Sequence, residues 1–263
     1  MTIHQELAER LWSAQIDGTP CEAPTSTHPE MTLQDAYEIQ TINLSRRLTH
    51  QGMFGERSRH VGRKVGITSR AVQTWLGVTE PDYGGLLCDM AVPDGGRADI
   101  TKLLQPRVEG EIAFVLKKPL FGPGVTAAQV VAAVDFVVPA IEIIDSRVRD
   151  WKFRIEDTVA DNASSGMFVL GSRPMPLASL DLRTIGMTLR KNGEVVSTGA
   201  GAACLGNPVN AVVWLVNKLG EHGTSLAPGE VILSGALGPV SPVVAGDRIS
   251  VVVGRAPEIS VVF

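Results

Sequence analysis

Beyond residue 60 the chain changes from helical periodicity to a series of short segments with strand-like character. These segments are HVGRKVGIT, RVEGEIAFVL, FVVPAIEII, TIGMTLRK, EVVSTG, EVILSG, RISVVV and EISVVF. Asn192-Gly193 joins two of them, and this pair suits the positive-φ positions of a type I′ hairpin turn. Strands outnumber helices here, so the pattern predicts the α+β class, with a mixed or antiparallel sheet rather than a doubly wound one.

Two helices are predicted between these strands. One begins at Thr126 with a Thr-x-x-Gln capping box and runs to about Phe136, and the other follows Asn207-Pro208. Two more precede residue 60, one over 5–16 and one that starts at Thr32. We therefore predict two units.

The boundaries of these units are 1–58 for a small helical N-terminal lobe and 59–263 for a β-rich domain.

Composition disfavours several classes of protein. The net charge of −4 and the absence of a Lys/Arg cluster disfavour nucleic-acid binding. The three cysteines are widely spread with no Cys-x-x-Cys pair, which favours a reducing compartment over disulfides or a thiolate zinc site. The N-terminus lacks the layout of a signal peptide, and no apolar run approaches the roughly 20 residues of a membrane span. We expect a soluble cytoplasmic protein.

The segment RVEGEIAFVL, residues 107–116, carries two like charges on one strand face. Alternation places Glu109 and Glu111 together, about 7 Å apart along the strand. Two carboxylates at this spacing can converge on one bound cation. A solvent-facing strand, with Arg107 balancing part of the charge, would explain the same pattern.

A third carboxylate, Glu142, interrupts the apolar run VVPAIEII, which should be buried. A buried carboxylate needs a cation, a metal or a strong hydrogen-bond donor. A salt bridge to Arg107 or Arg147 would satisfy the Glu142 carboxylate. The predicted helix from Thr126 joins the two strands into a strand–helix–strand unit, which could bring Glu142 beside Glu109 and Glu111, and a metal shared by the three would satisfy it equally. Three carboxylates with no thiolate or imidazole nearby favour Mg²⁺ or Mn²⁺ over zinc.

Lys64 stands between Gly62 and Gly66 on one face of the strand HVGRKVGIT. Glycines inside a strand often mark the close approach of a ligand or another backbone, although an edge strand with an exposed lysine fits equally. Asp82 in PDYGG is typical of a turn. The sequence contains no phosphate-binding loop, no strand-linked Gly-x-Gly-x-x-Gly and no Gly-x-Ser-x-Gly elbow, which disfavours nucleotide-dependent enzymes and serine hydrolases.

Several motifs together resemble the fumarylacetoacetate hydrolase superfamily: EGE at 109–111, Glu142 in PAIEIIDSR, and VADNASSG at 159–166. Within it, the chain resembles the branch of 2-keto-4-pentenoate hydratases and 4-oxalocrotonate decarboxylases. The similarity runs from the helix at Thr32 to the C-terminus, through GRKVGIT, LGVTEPDYGGLL, RVRDWKF, CLGNPVNAVVWL and VILSGALGP. RVRDWKF and the stretch around ADNASSG are more similar to the hydratases. The acylpyruvate hydrolases' His-x-x-Glu pair is missing, so cleavage of a carbon–carbon bond is less expected.

The resemblance implies a mixed β-roll core with a small helical N-terminal part, and a divalent metal, Mg²⁺ or Mn²⁺, held by Glu109, Glu111 and Glu142. It makes the unit at 59–263 the metal-binding catalytic domain. It also implies assembly into homo-oligomers, and a complex with the decarboxylase of the same pathway is possible.

The activity that the resemblance implies is hydration of 2-hydroxypenta-2,4-dienoate, or of a longer alkyl homologue, in the meta-cleavage catabolism of aromatic compounds or steroids. Lys64 and Asp82 are the acid/base candidates, and a nearby metal would lower the pKa of Lys64. Candidate hydrogen-bonding partners of the substrate are Asn162, Ser164 and Ser234. The alternatives are 4-oxalocrotonate decarboxylation and a non-catalytic partner of a pathway enzyme; a pure scaffold would not need the three glutamates and Lys64.

Overall fold

The computed structural model describes residues 2–49 and 58–263. Its helices are α1 (Ile3–Asp17), α2 (Pro24–Thr27), α3 (Leu33–Thr49), α4 (Arg70–Leu76), α5 (Ala127–Ala133), α6 (Ile155–Ala160) and α7 (Pro208–Glu221). Its strands are β1 (His60–Gly66), β2 (Asp82–Leu87), β3 (Ala91–Val92), β4 (Arg107–Leu116), β5 (Val134–Ile144), β6 (Ser165–Leu170), β7 (Gly186–Lys191), β8 (Glu194–Ala200), β9 (Val231–Leu233), β10 (Ser241–Pro242), β11 (Arg248–Val253) and β12 (Ile259–Val262). No helix in the described ranges is long and apolar enough to cross a membrane.

Helices α1 and α3 form the N-terminal part of the fold. The predicted helix start at Thr32 is confirmed: the Thr32 hydroxyl accepts from the Asp35 backbone N–H, and the Asp35 carboxylate accepts from the Thr32 backbone N–H. Buried side chains such as Leu7 and Ile39 pack in one cluster with Val159 of α6. The helices are thus fastened to the segment that follows β5. The division at residue 58 stays a prediction, and residues 50–57 next to it lie outside the described ranges.

The main sheet is mixed, as predicted. Within the described residues its strand order is β2-β1-β9-β4-β5-β6-β3, with β10 added beside β4. The β1–β9 and β3–β6 pairs are parallel and the other pairs are antiparallel. The long β4–β5 pair sets Glu109 directly opposite Glu142, and opposite residues share a sheet face. Register and strand alternation together therefore bring the three glutamates to one face.

A second sheet, in the order β12-β11-β7-β8, packs on the other face of β4. Gly110 is the point of close approach, because a Cβ there would lie 2.8 Å from the Met187 sulfur and 3.3 Å from Val251. The glycine between the two glutamates thus gives clearance for the second sheet. The predicted hairpin of this sheet is confirmed, with positive φ at Asn192 and Gly193.

Two details of the predicted elements are wrong. The helix that begins at Thr126 ends at Ala133 rather than near Phe136, because Val134 already pairs with Leu116 in the sheet. Helices α2, α4 and α6 were also missed. They have 4, 7 and 6 residues, too few for an apolar period to repeat.

The sheet depends on a missing side chain at Gly62. A Cβ at this position would lie 1.9 Å from the Val231 carbonyl oxygen on the neighbouring parallel strand. We expect Gly62→Ala to lower the free energy of unfolding by about 1–3 kcal/mol, as overpacking does. Gly186→Ala is the matched strand control, since a Cβ there meets nothing within 4 Å. Chemical denaturation should separate the two variants, and equal stability would contradict the packing described here.

Candidate metal centre

Three carboxylates converge on one side of the main sheet. One oxygen from each of Glu109, Glu111 and Glu142 can be chosen so that all three lie within 4.8 Å of one another. Glu111 and Glu142 are 0% and 1% exposed, while Glu109 is partly exposed. Burial raises the pKa of Glu111 above its usual range, and the charge of Glu142 adds to this. The same two causes raise the pKa of Glu109 to about 7.

The carboxylate oxygens of this group are largely left without hydrogen bonds. Among the described residues, Glu111 Oε1 and both oxygens of Glu142 are buried and accept no hydrogen bond, although Glu142 Oε1 has an ion pair with Lys64 Nζ at 3.1 Å. Buried oxygens of this kind are costly unless a cation balances them. Their number and their all-oxygen character fit Mg²⁺ or Mn²⁺, which leave further coordination positions to water and substrate.

Lys64 reaches the same group from β1. It is 3% exposed, so the alternative of an exposed lysine on an edge strand is wrong; β1 lies between β2 and β9. Its Nζ donates to the Ala163 carbonyl at 2.8 Å and lies 3.1 Å from Glu142 Oε1. The cation beside Glu142 is therefore this lysine and not Arg107 or Arg147. Burial lowers the pKa of Lys64, but the charges of Glu142 and Asp82 outweigh burial and raise it.

Asp82 completes the charged group; its predicted place in a turn is wrong, because it is the first residue of β2 and pairs with β1. It pairs with Gly66, where a Cβ would lie 2.2 Å from Asp82 Oδ1 and 3.3 Å from Lys64 Nζ. Gly66 is thus open because two charged side chains pass over it. Burial raises the pKa of Asp82 to about 6, against the charge of Lys64, and Oδ1 has no hydrogen-bond partner in the described part of the chain.

The segment 162–164 is a left-handed turn that supplies the carbonyl for Lys64. Asn162, Ala163 and Ser164 have φ values of 55°, 50° and 53°. Such backbone is strained in non-glycine residues and must be held by its surroundings. The Asn162 side chain exchanges hydrogen bonds with the backbone of Gly85 at 2.8 and 3.0 Å, which ties the turn to β2.

The predicted substrate contacts differ in how free their side chains are. Both polar groups of the Asn162 amide are engaged by Gly85, and Ser164 Oγ lies 3.1 Å from Thr158 Oγ1. Ser234 Oγ is fully buried and, within the described ranges, lacks a hydrogen-bond partner. All three contacts stay predictions, and the Ser234 hydroxyl is the one of the three with no hydrogen bond to its side chain among the described residues.

A buried arginine fixes the other end of this turn. Arg147 Nε donates to Asp161, its Nη1 donates to the Ser165 carbonyl at 2.9 Å, and its backbone N–H donates to Asp161 Oδ2 at 2.9 Å. Both side chains are more than nine-tenths buried. The pair closes a loop on either side of residues 162–164, and so holds Ala163 against Lys64.

Removing the guanidinium would leave Asp161 as a buried charge without its cation. We expect Arg147→Met to lower the free energy of unfolding by about 3–5 kcal/mol. Arg149→Met is the control, because its ion pair with Glu22 is exposed and such pairs contribute about 1 kcal/mol at most. Urea denaturation of both variants checks this, and a similar small loss in each would contradict the buried role.

Three groups at the site were missed by the sequence reasoning. The Gly235 N–H donates to Glu111 Oε2 at 2.8 Å, the Ala163 carbonyl binds Lys64, and Cys204 Sγ donates to the Ser234 carbonyl at 2.9 Å. Two are backbone groups, which carry no residue-type signal. Burial and the charge of Glu111 raise the pKa of Cys204 to about 12, so the sulfur is a thiol.

Both the sequence and the fold of this chain can now be compared with those of known proteins. Residues 88–261 match the model of the fumarylacetoacetate (FAA) hydrolase C-terminal family, well over half of the chain. The chain belongs to this family. Among its members, a 2-keto-4-pentenoate hydratase of Paraburkholderia xenovorans is 50% identical over 92% of this chain and 88% of its own length. A 2-hydroxyhexa-2,4-dienoate hydratase of Comamonas testosteroni is 46% identical over 97% of this chain and 95% of its own length.

A solved structure from the family superposes on the whole fold. It is a 4-oxalocrotonate decarboxylase from Pseudomonas putida G7, complexed with magnesium and adipate. The TM-score is 0.93 at 42% identity, over 100% of this chain and 98% of that one. The predicted family and fold class, a mixed β-roll preceded by helices, are therefore confirmed.

Proposed function

We propose that the chain is a divalent-metal-dependent hydratase, a hydro-lyase acting on 2-hydroxypenta-2,4-dienoate or a longer alkyl homologue such as 2-hydroxyhexa-2,4-dienoate. The product is a 4-hydroxy-2-oxoalkanoate, as in meta-cleavage catabolism of aromatic compounds or steroids. The observation that carries the proposal is the group of three buried or half-buried carboxylates with orphaned oxygens beside a buried lysine. Hydratases at 50% and 46% identity support it.

The proposed cofactor is Mg²⁺ or Mn²⁺, held by Glu109, Glu111 and Glu142. A divalent cation there would stabilise negative charge on the substrate's 2-oxygen, which favours interconversion of the enol and keto forms. The donor set and the unbonded buried oxygens fit such an ion. The magnesium of the related decarboxylase structure supports the choice of metal.

Lys64 is proposed to orient the substrate oxygens and to move a proton. Its ammonium group donates to Ala163 O and forms an ion pair with Glu142 Oε1, and an ammonium has three N–H donors, so it can also donate to a ligand. In the first step the 2-hydroxyl loses a proton and C5 gains one, giving the conjugated 2-oxo-3-enoate. In the second step water adds through its oxygen to C4, and a proton goes to C3.

Asp82 is proposed to orient and deprotonate that water. Its Oδ1 is buried, close to Lys64, and free of hydrogen bonds among the described residues. A pKa of about 6 suits a group that both accepts and returns a proton near neutral pH. Ser234, Ser164 and Asn162 are the proposed hydrogen-bond partners of the substrate. Ser234 is placed first because its hydroxyl has no hydrogen-bond partner among the described residues.

The hydratase activity is tested with a panel of 2-hydroxydienoates of different chain length. An ultraviolet assay follows the loss of the dienoate chromophore. We expect turnover of 2-hydroxypenta-2,4-dienoate or its hexadienoate homologue with Mg²⁺ or Mn²⁺, and product identified as the 4-hydroxy-2-oxo acid. Heat-denatured protein is the control for spontaneous ketonisation. No acceleration with any member of the panel would reject the hydratase proposal.

The second candidate is 4-oxalocrotonate decarboxylation, favoured by the superposition on the decarboxylase over the whole chain. It uses the same metal and a dienolate, but releases CO₂ from a substrate with a second carboxylate. Measuring CO₂ from 4-oxalocrotonate separates the two activities. Release of CO₂ at a higher kcat/KM than dienoate hydration would favour the decarboxylase.

Assembly into homo-oligomers, and association with the decarboxylase of the same pathway, are also proposed. The exposed apolar side chains of Trp75 and Phe121, 74% and 68% exposed, are consistent with a covered surface. Light scattering on the purified chain, alone and with a pathway decarboxylase, measures both. A cytoplasmic location is proposed on the same sequence grounds as before.

A further inference from the structure

The carboxylate of Glu111 is held by one backbone peptide group. The Gly235 N–H donates to Glu111 Oε2 at 2.8 Å. This N–H and the Ser234 carbonyl belong to the same planar peptide unit. On the opposite edge of that unit, Cys204 Sγ donates to the Ser234 carbonyl at 2.9 Å. Thiol, peptide and carboxylate are therefore joined in one line of hydrogen bonds.

We propose that Cys204 is a positioning residue for the metal site, which fixes the Ser234–Gly235 peptide so that its N–H orients Glu111 toward a divalent cation. The inference rests on the proposed function, in which Glu111 is one of three ligands of that cation. Mutation of a group that orients a metal ligand through a hydrogen bond typically lowers metal affinity by roughly 10–100-fold.

The peptide needs such a hold because its own backbone is loose. Gly235 has a φ of +105°, and a Cβ there would lie 2.3 Å from Thr68 Oγ1. Only glycine fits this position, and glycine restricts the backbone least of all residues. The orientation of the peptide must therefore be set by the groups bonded to it.

The neighbouring bonds fix the position of the segment but not the rotation of this peptide. The Ser234 N–H donates to Ile112 O at 3.1 Å, and the Leu237 N–H donates to Gly110 O at 3.0 Å. These bonds fasten the segment along β4, on either side of Glu111. Rotation of the peptide between them would turn the Gly235 N–H away from the carboxylate, and the thiol bond to Ser234 O opposes that rotation.

The thiol is itself held rigidly. Cys204 is fully buried, and its backbone N–H donates to Gly201 O at 3.1 Å. The next N–H, of Leu205, donates to Thr68 O at 3.1 Å, which ties this turn to the segment that directly follows β1. The sulfur therefore has a fixed place relative to the strand that carries Lys64.

The test is the affinity of the full-length, metal-free protein for Mn²⁺, measured by electron paramagnetic resonance of free Mn²⁺ during titration. Cys204→Val fills the thiol's volume without a donor, and Cys204→Ser keeps a donor. We expect the valine variant to raise the Kd for Mn²⁺ about tenfold or more, and the serine variant to stay much closer to wild type. Val212→Ala, a buried truncation on α7, is the control for a general loss of stability.

The outcomes separate the inference from the proposed function. Loss of affinity in Cys204→Val, with recovery in Cys204→Ser and none in Val212→Ala, supports the positioning role. Wild-type affinity in Cys204→Val overturns it, and so does a serine variant as weak as the valine variant. Failure of the wild-type protein to bind Mn²⁺ would reject the proposed function and this inference together.

Discussion

Glu142→Gln is expected to reduce dienoate turnover by about a thousandfold or more, because the proposed metal site would lose the charge of one of its three carboxylates, and the cation held there would supply several kcal/mol of charge stabilisation. Glu142 lies at the centre of the site, opposite Glu109 in the β4–β5 register and 3.1 Å from Lys64 Nζ. The amide keeps the size of the side chain and removes its charge. The loss is measured as kcat/KM in the ultraviolet assay.

The same variant should also lose the increase in Tm that bound metal gives. A variant that is only less stable would still show that increase. Bound metal stabilises the folded state by about 2.7 kcal/mol when its concentration is a hundred times Kd. We expect Mn²⁺ to raise the Tm of wild type and to leave the Tm of Glu142→Gln nearly unchanged. Glu230→Gln, the same change at a half-buried carboxylate paired with His60, is the control. Wild-type turnover in Glu142→Gln would remove this residue from the site.

Lys64→Met is the second large effect, with an expected loss of about 10²–10⁴-fold in kcat, the range of a general acid–base group. The lysine is buried, touches Ala163 O and Glu142, and lies beside Asp82. Methionine fills the same space without donating a hydrogen bond. Because Lys64 is not one of the proposed metal ligands, Mn²⁺ should still bind and still raise the Tm. That combination separates it from Glu142→Gln.

A matched control for this variant is Lys218→Met, a lysine on α7 whose partners are Glu80 and Glu221. It should keep its turnover. Near-wild-type kcat in Lys64→Met would exclude the lysine from the chemistry and leave Asp82 as the acid/base candidate.

Strand alternation and a misplaced charge singled out the three glutamates, and the family resemblance then predicted that they form one group. Glu109 and Glu111 share a face because the side-chain period of a strand is two, and Glu142 stood out in a segment that had to be buried. The family motifs then predicted the β-roll and the helical N-terminal part. The register that sets Glu109 opposite Glu142 was not readable, since pairing depends on contacts between distant segments.

The parts that could not be predicted depend on backbone groups and packing. Lys64 was equally compatible with an exposed edge, and only its place between β2 and β9 shows that it is buried. The left-handed turn at 162–164 has no glycine to announce it, and its strain is held by tertiary bonds from Gly85 and Arg147. The Gly235 N–H and the Ala163 carbonyl are backbone groups. Almost every residue type has such groups, so no sequence pattern identifies them.

We propose above that Glu109, Glu111 and Glu142 hold one divalent cation, and that the hydration reaction requires this cation. The most direct test of this proposal is to titrate chelator-treated, metal-free protein with Mn²⁺ while recording dienoate turnover and bound metal in the same samples. We expect negligible turnover at first, which then rises in proportion to the bound ion and reaches its maximum at about one ion per chain. Full turnover in the metal-free protein, or turnover unrelated to bound Mn²⁺, would contradict the proposal.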